Sequence, residues 1–320
     1  MQAPALRPLG VGEILDAGFK IYTRNAWQLM KIVAIVVIPI QLIAAVIFLS
    51  TLEDPDALTG DGSIEDGSET WGFIAGNFVG SFLGWVALTI ATGAVVKAIA
   101  DAYLARDPDW RESLRFAGSR WRALLWLAFI TTFFTILAFL ALIIPGIWLS
   151  IAWIVAVPAL MIEDCRGLKA LKRSFRLVRK RWWPTFAVIA IAYILAAIVQ
   201  SMVGVLFGVA IVAGADDSLL LAVAVNTLLT AIAAVIATPF QAAVTTITYF
   251  DLRVRKEGFD LQLLADRIGG DVPEQAPYAA PTSYGQPQPY GQPPQPYGQP
   301  PQPQEWAPPL PERPADPGQG

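Results

Sequence analysis

An all-α, multi-pass membrane fold is predicted by three observations. Hydrophobic residues make up 55% of the chain against 15% charged, where soluble domains carry about 25% charge. Uncharged runs long enough to cross lipid follow one another from residue 31 to residue 250. Basic residues are confined to alternate connections between those runs. The expected architecture is six transmembrane helices arranged as three hairpins, each preceded by a cytoplasmic amphipathic helix.

A helix needs about 20 apolar residues to cross the hydrocarbon core. On that measure the spans fall at about 31–52, 71–103, 123–144, 147–163, 184–213 and 218–250. The first is interrupted only by Pro39 and Gln41. The third run is uncharged from Ala123 through Ile162, too long for one crossing, and Pro145-Gly146 near its middle is a strong turn signal. The last two runs, Trp182–Ala215 and Ser218–Phe250, are separated by Asp216-Asp217. Each exceeds the bilayer, so tilting, kinking or an interfacial end has to absorb the surplus. Residues 1–30 are mixed in polarity and do not read as a secretory signal.

Orientation follows from the bases. The connection after the first span holds Glu53, Asp54, Asp56, Asp61, Glu65, Asp66 and Glu69 and no base, and the turns at Pro145-Gly146 and Asp216-Asp217 hold none. Arg7, Lys20, Arg24 and Lys31, then Arg106–Arg122, Arg166–Arg181 and Arg253–Arg267, all fall on the other side, where Lys97 can snorkel. The expectation is a plasma-membrane protein with both termini in the cytoplasm.

Three segments repeat one pattern of small, apolar, basic, apolar: Gly18-Phe19-Lys20-Ile21, Ser113-Leu114-Arg115-Phe116 and Ser174-Phe175-Arg176-Leu177. Tryptophan follows each, at Trp27, Trp121 and Trp182-Trp183, as suits a membrane interface. The returning helices also correspond, Ala91-Thr92-Gly93 with Ala237-Thr238-Pro239, and three tandem units are predicted. In the third, Leu168, Leu171, Phe175, Val178 and Trp182 form one apolar stripe. Lys169, Lys172, Arg173, Arg176, Arg179 and Lys180 fill the rest and are candidate contacts for anionic headgroups of the inner leaflet. The stripe also fits packing on the chain's own bundle. In the second unit Trp110, Leu114, Ala117 and Trp121 form the stripe, with Asp107 or Asp109 as cap and Pro108 in the first turn.

Within the spans, Gly72, Gly76, Gly80 and Gly84, and again Gly204 and Gly208, recur every four residues, as close helix packing in lipid requires. Asn77, Asn226, Thr230, Thr238 and Gln241 could instead line a polar path. No ionisable residue falls securely at mid-membrane depth, which weighs against an ion-coupled carrier.

After residue 270 the composition turns to Pro, Gln, Gly and Tyr, with near-repeats at 289–294 and 296–301. Residues 271–320 are expected to be a disordered cytoplasmic tail of polyproline character. It would serve as a docking site for aromatic-lined protein grooves or as a solvating extension.

Much chemistry is absent. There is no histidine and only one cysteine, Cys165, so no intrachain disulfide and no histidine acid–base or metal site can form. Phosphate-binding loops, nucleophile elbows and paired-cysteine metal sites are missing too. No cofactor, metal or nucleic acid is expected, and Cys165 reads as an interfacial residue.

Leu6-Arg7-Pro8-Leu9-Gly10-Val11-Gly12-Glu13-Ile14-Leu15-Asp16, Ile144-Pro145-Gly146-Ile147, Val157–Glu163 and Tyr249–Asp260 together resemble the membrane domain associated with glycerophosphoryl diester phosphodiesterases. The similarity runs over about residues 6–265. That domain also occurs in stand-alone bacterial membrane proteins. The catalytic part of the fused enzymes is a separate barrel of about 250 residues that uses histidine and a divalent metal. This chain lacks both the histidine and the room, so the resemblance implies the membrane domain without the hydrolase. Two functions remain: a non-enzymatic scaffold or lipid-organising component using its basic interfacial helices, and a transporter or channel subunit with a path along the polar face of the sixth helix.

Overall fold

A computed structural model of the chain describes residues 8–51, 67–212 and 219–259. The acidic connection at 53–66, the Asp216-Asp217 turn and the tail at 271–320 lie outside these residues. The described part is helical throughout: α1 (Val11–Arg24), α2 (Ala26–Ser50), α3 (Gly67–Tyr103), α4 (Trp110–Ser119), α5 (Trp121–Ala141), α6 (Ile143–Ala152), α7 (Ala156–Glu163), α8 (Leu168–Val178), α9 (Trp182–Val212) and α10 (Leu219–Glu257). Six stretches are long and apolar enough to cross a bilayer, one of them made of α6 and α7 together.

The helix ends follow local chemistry. Asp109 caps α4 by accepting from the Arg111 N–H at 3.0 Å, which leaves Pro108 just outside the helix rather than in its first turn. At the end of α3 the Ala105 N–H donates to the Ala102 carbonyl and the Arg106 N–H to that of Asp101. This closure needs a left-handed residue, and Ala105 (φ 59°) supplies it where glycine is usual. Gly258 (φ 60°) plays that part after α10.

The Pro145-Gly146 turn is not where the sequence places it. The chain reverses at Leu142, whose backbone is extended, and Pro145 sits in the first turn of α6, where its missing N–H costs nothing. The pairing of α5 and α6 is antiparallel: Phe134 meets Trp153 edge-on at 6.4 Å, and Phe139 lies over Gly146. The return is then broken at Trp153–Val155, between α6 and α7.

Two buried clusters form the core. In one, α2 and α3 pack with α4, α5, α7, α8 and α10 through Leu29, Ile32, Ile99, Ala117, Leu124, Leu160, Leu171 and Ala243. In the other, α10 packs with α1, α3, α8 and α9 through Ile14, Tyr103, Leu177, Val188, Ile247 and Phe250. Both lie toward the ends of α3 and α10 that carry the bases. The small residue of each repeat is buried there, Gly18, Ser113 and Ser174 alike, while Lys20, Arg115 and Arg176 of the same motifs are exposed. At Gly18 an added Cβ would stand 3.0 Å from Val244 of α10; the Ser174 hydroxyl donates to the Ala152 carbonyl at 2.9 Å. The repeat thus places its small side chain where a short helix meets a neighbour.

A Cβ built on Gly146 would fall 2.5 Å from the Phe139 ring, whereas one on Gly204 meets nothing within 4 Å. Gly146→Ala should therefore lower stability by about 1–3 kcal/mol through overpacking, and Gly204→Ala should leave it unchanged. Thermal unfolding of the detergent-purified variants measures the difference.

Candidate functional site

Two regions gather polar side chains. The first is a collar at the basic end. There α8 buries Ala170, Leu171, Ser174, Leu177 and Val178 against the bundle. Of the predicted stripe, Leu171 and Val178 are buried and Phe175 partly so, but Leu168 is exposed. Lys169, Lys172, Arg176, Arg179 and Lys180 all point outward. Arg173 does not: its side chain is 13% exposed.

The Arg173 guanidinium is shared by two carboxylates. Its Nε and Nη2 donate to Glu163 at 2.6 and 2.8 Å, its Nη2 also reaches Glu257 at 2.6 Å, and Nη1 bonds the other Glu257 oxygen. Glu163 further accepts from the Tyr249 hydroxyl and faces Arg253 at 3.4 Å. A planar fork can engage two carboxylates bidentately at once, which a lysine ammonium cannot. Burial works against the charge on Arg173, but its bonds to Glu257 and Glu163 outweigh it and hold the group firmly protonated. The cluster joins α7, α8 and α10. Nearby, Arg120 pairs with Asp164 at 3.0 Å, and Asp251 accepts from the Leu9 N–H at 2.7 Å while pairing with Arg255. Burial, then the Glu163 carboxylate, pushes the Cys165 thiol up, so it stays a thiol rather than a nucleophilic thiolate.

Sequence reasoning missed a second basic feature of this end. A crevice of ≈ 290 Å³ between α1 and the end of α3 is lined by Lys20, Arg24, Asn25 and Arg106, with Asp107 beside them. The available signal was the base of the first repeat motif together with the left-handed turn at Ala105, which a reading of apolar periodicity does not register.

The second region lies in the opposite half of the bundle. A groove of ≈ 670 Å³ between α2, α3 and α10 is lined by Gln41, Asn77, Ser81, Asn226, Thr227 and Thr230 over apolar walls. None of the described residues lining it is charged. It ends at Val37, Leu88 and Ala234, beyond which Val33, Ala91 and Val95 are packed shut. Three of the five predicted path residues are thereby brought together. Thr238 is buried and Gln241 half-buried, and both lie outside the groove.

The glycine stripes divide. Gly72 and Gly76 face Thr51 of α2 and Gly80 faces Ala44, as close packing predicts, but a Cβ on Gly84, Gly204 or Gly208 meets nothing within 4 Å. Of these, Gly84 opens on the groove. Among the described residues, no group of three or more Cys, Asp or Glu is placed to hold a metal ion.

Residues 129–281 match a family described as a domain of unknown function, DUF8558. The match begins inside α5, leaves out α1–α4 and spans just under half of the chain. No curated protein and no solved structure matches.

Losing the Arg173 fork removes the main counter-charge of Glu163 and Glu257 and leaves them to share Arg253 in a poorly solvated place. Breaking a fully buried pair costs about 3–5 kcal/mol; with these groups partly exposed, Arg173→Gln should destabilise by about 2–3 kcal/mol. Lys172→Gln, one residue away and exposed, should cost less than about 0.5 kcal/mol. Chemical unfolding in detergent, followed by tryptophan fluorescence, separates the two.

Proposed function

We propose that this chain is a non-enzymatic membrane component that organises anionic lipid of the inner leaflet. In this reading it resides in the plasma membrane with both termini in the cytoplasm. The three hairpins are α2–α3, α5–α6 and α9–α10, and α1, α4 and α8 are the amphipathic helices that precede them. The resemblance to the membrane domain associated with glycerophosphoryl diester phosphodiesterases belongs to the same proposal, without the hydrolase.

The observation that carries it is the two-sidedness of α8. Its apolar face is spent on the bundle and Arg173 is held by carboxylates, yet five bases remain outward with exposed Trp183 close by in sequence. Internal carboxylates secure the helix, which leaves the outer row for headgroup phosphates at about 1 kcal/mol per base. The crevice of Lys20, Arg24 and Arg106 adds a second cationic recess at the same end.

Reversing Lys172, Arg176 and Lys180 to Glu, while sparing Arg173, should reduce retention of phosphatidylglycerol by about tenfold or more, since 1.4 kcal/mol is a factor of ten. Phosphatidylcholine retention should not change. Native mass spectrometry of the detergent-purified protein reads both, and undiminished phosphatidylglycerol would count against the proposal.

The groove favours a second reading, a transporter or channel subunit for an uncharged solute. Carboxamides from three helices, Gln41, Asn77 and Asn226, converge there without a charge. Passage would require the packed floor at Val33, Ala91 and Val95 to open. An added side chain at Gly84 has open space, so Gly84→Leu fills the groove without disturbing the fold. On this reading proteoliposomes swell faster in glycerol than empty vesicles, and Gly84→Leu abolishes the difference. No swelling above the empty vesicles would end it.

A further inference from the structure

The α5–α6 hairpin carries a long apolar surface that no other part of the described molecule covers. From Ile136 to Leu149 there is no polar side chain. Leu140, Leu142, Ile143 and Ile144 at its tip are all exposed, Leu140 by 78% and Ile144 by 80%. Composition makes it two crossings, but its anchors measure its reach.

On the returning side, the Ala152 carbonyl accepts from Ser174 at 2.9 Å and the Trp148 carbonyl from the Trp182 indole at 3.2 Å. Trp148 also meets Phe175 edge-on at 5.8 Å. Ser174, Phe175 and Trp182 are flanked by Arg176, Arg179, Lys180 and Arg181 and cannot lie deep in hydrocarbon. At 1.5 Å per residue, the ten residues of α6 carry the chain about 15 Å from that anchor. The outgoing side agrees. Arg120 is paired with Asp164, Gly167 lies against Trp126, and Phe134 is already opposite Trp153. Only the last two turns of α5 extend past that level. A hydrocarbon core is about 30 Å thick, so the tip falls about half-way.

We infer that α5 and α6 form a hairpin inserted in the leaflet at the basic end, whose partner is the acyl chains of that leaflet alone. The spanning helices are then α2, α3, α9 and α10, and because the hairpin returns to its own side the termini still share a face. A turn in lipid is costly where backbone groups go unsatisfied, and this one pairs both backbone groups of its pivot residue. The Leu142 N–H continues the α5 ladder to Ala138, its carbonyl accepts from Gly146 at 3.3 Å, and Pro145 has no N–H to lose. The flanking Trp126, Trp148, Trp153 and Trp182 sit where indoles mark an interface.

The test uses the full chain with Cys165→Ser and single cysteines at Leu140, Ile144, Ser50 or Lys172. An impermeant maleimide is applied to intact cells and to inverted vesicles. Ser50→Cys and Lys172→Cys should label from opposite faces. Leu140→Cys and Ile144→Cys should label from either face about tenfold more slowly or worse, since a thiol in hydrocarbon does not ionise, and normally once detergent is added. Labelling of the tip from the Ser50 face at the Ser50 rate would mean a full crossing, and from the Lys172 face at the Lys172 rate a hairpin lying outside the lipid. Either overturns the inference. Exchange of the faces reached by Ser50 and Lys172 would instead reverse the orientation proposed above and leave this test intact. Both tip positions are exposed, so neither substitution threatens folding, and detergent labelling confirms the protein is present.

Discussion

Segregating the described bases to one end of a lipid-embedded bundle creates a repulsion that the same end must resolve. Lipid forbids charges along the spans, so Lys97, Arg120, Arg173, Arg253 and Arg255 crowd where the helices emerge. The answer is a set of acids interleaved with them: Asp101 beside Lys97, Asp164 beside Arg120, Asp251 beside Arg255, and Glu163 with Glu257 around Arg173 and Arg253. Pairs of this kind add little net stability, because desolvation offsets most of their attraction. What they contribute is register. Arg173 can reach Glu163 and Glu257 together only when α7, α8 and α10 meet at one angle, and the rest of the collar is built on that meeting.

The collar also explains why several apolar runs outlast a bilayer. α3 has 37 residues and α10 has 39, at 1.5 Å each well beyond a hydrocarbon core. Almost every residue of α3 from Ala94 to Tyr103, and of α10 from Ala242 to Leu252, is buried by protein or nearly so. The surplus is a helix end sheathed by α1, α4 and α8 rather than a tilted span. Hydropathy reports only that a side chain leaves water. It does not say whether lipid or protein replaces the water, and for the same reason it counts α5 and α6–α7 among the candidate spans.

Helical class and the positions of the apolar runs were legible because a run of one polarity is a local pattern. That Gly18, Ser113 and Ser174 are all buried is a finding of the structure. Three features were not legible. The reversal at Leu142 precedes Pro145-Gly146 because proline suits the first turn of a helix as well as it suits a loop. Arg173 looks like its basic neighbours until Glu257, 84 residues away, is brought beside it. Gly204 and Gly208 have the spacing of a packing face, but a Cβ on either meets nothing within 4 Å, and spacing alone cannot supply a contact. The groove was half legible: Asn77, Asn226 and Thr230 converge, but Thr238 and Gln241, on the same helical face, pass out of it where α10 enters the packed core.

The polar chemistry of the two ends differs in a way that bears on function. In the collar, Glu163 accepts from Arg173 and Tyr249 and faces Arg253, so its lone pairs are committed and it is poorly placed to take a proton from anything else. Cys165 keeps its proton because burial, and then the negative charge of Glu163 beside it, disfavour the thiolate. Such a cluster ties α7, α8 and α10 to one another. In the groove the side chains are uncharged, and Thr230 bonds back to the Asn226 and Thr227 carbonyls of its own helix. Carboxamides set among apolar walls suit a neutral molecule and give no purchase to an ion. The bases stand at one end and the amides in the groove of the other half, and α2, α3 and α10 join the two, since each lines the groove and also packs into the core at the basic end.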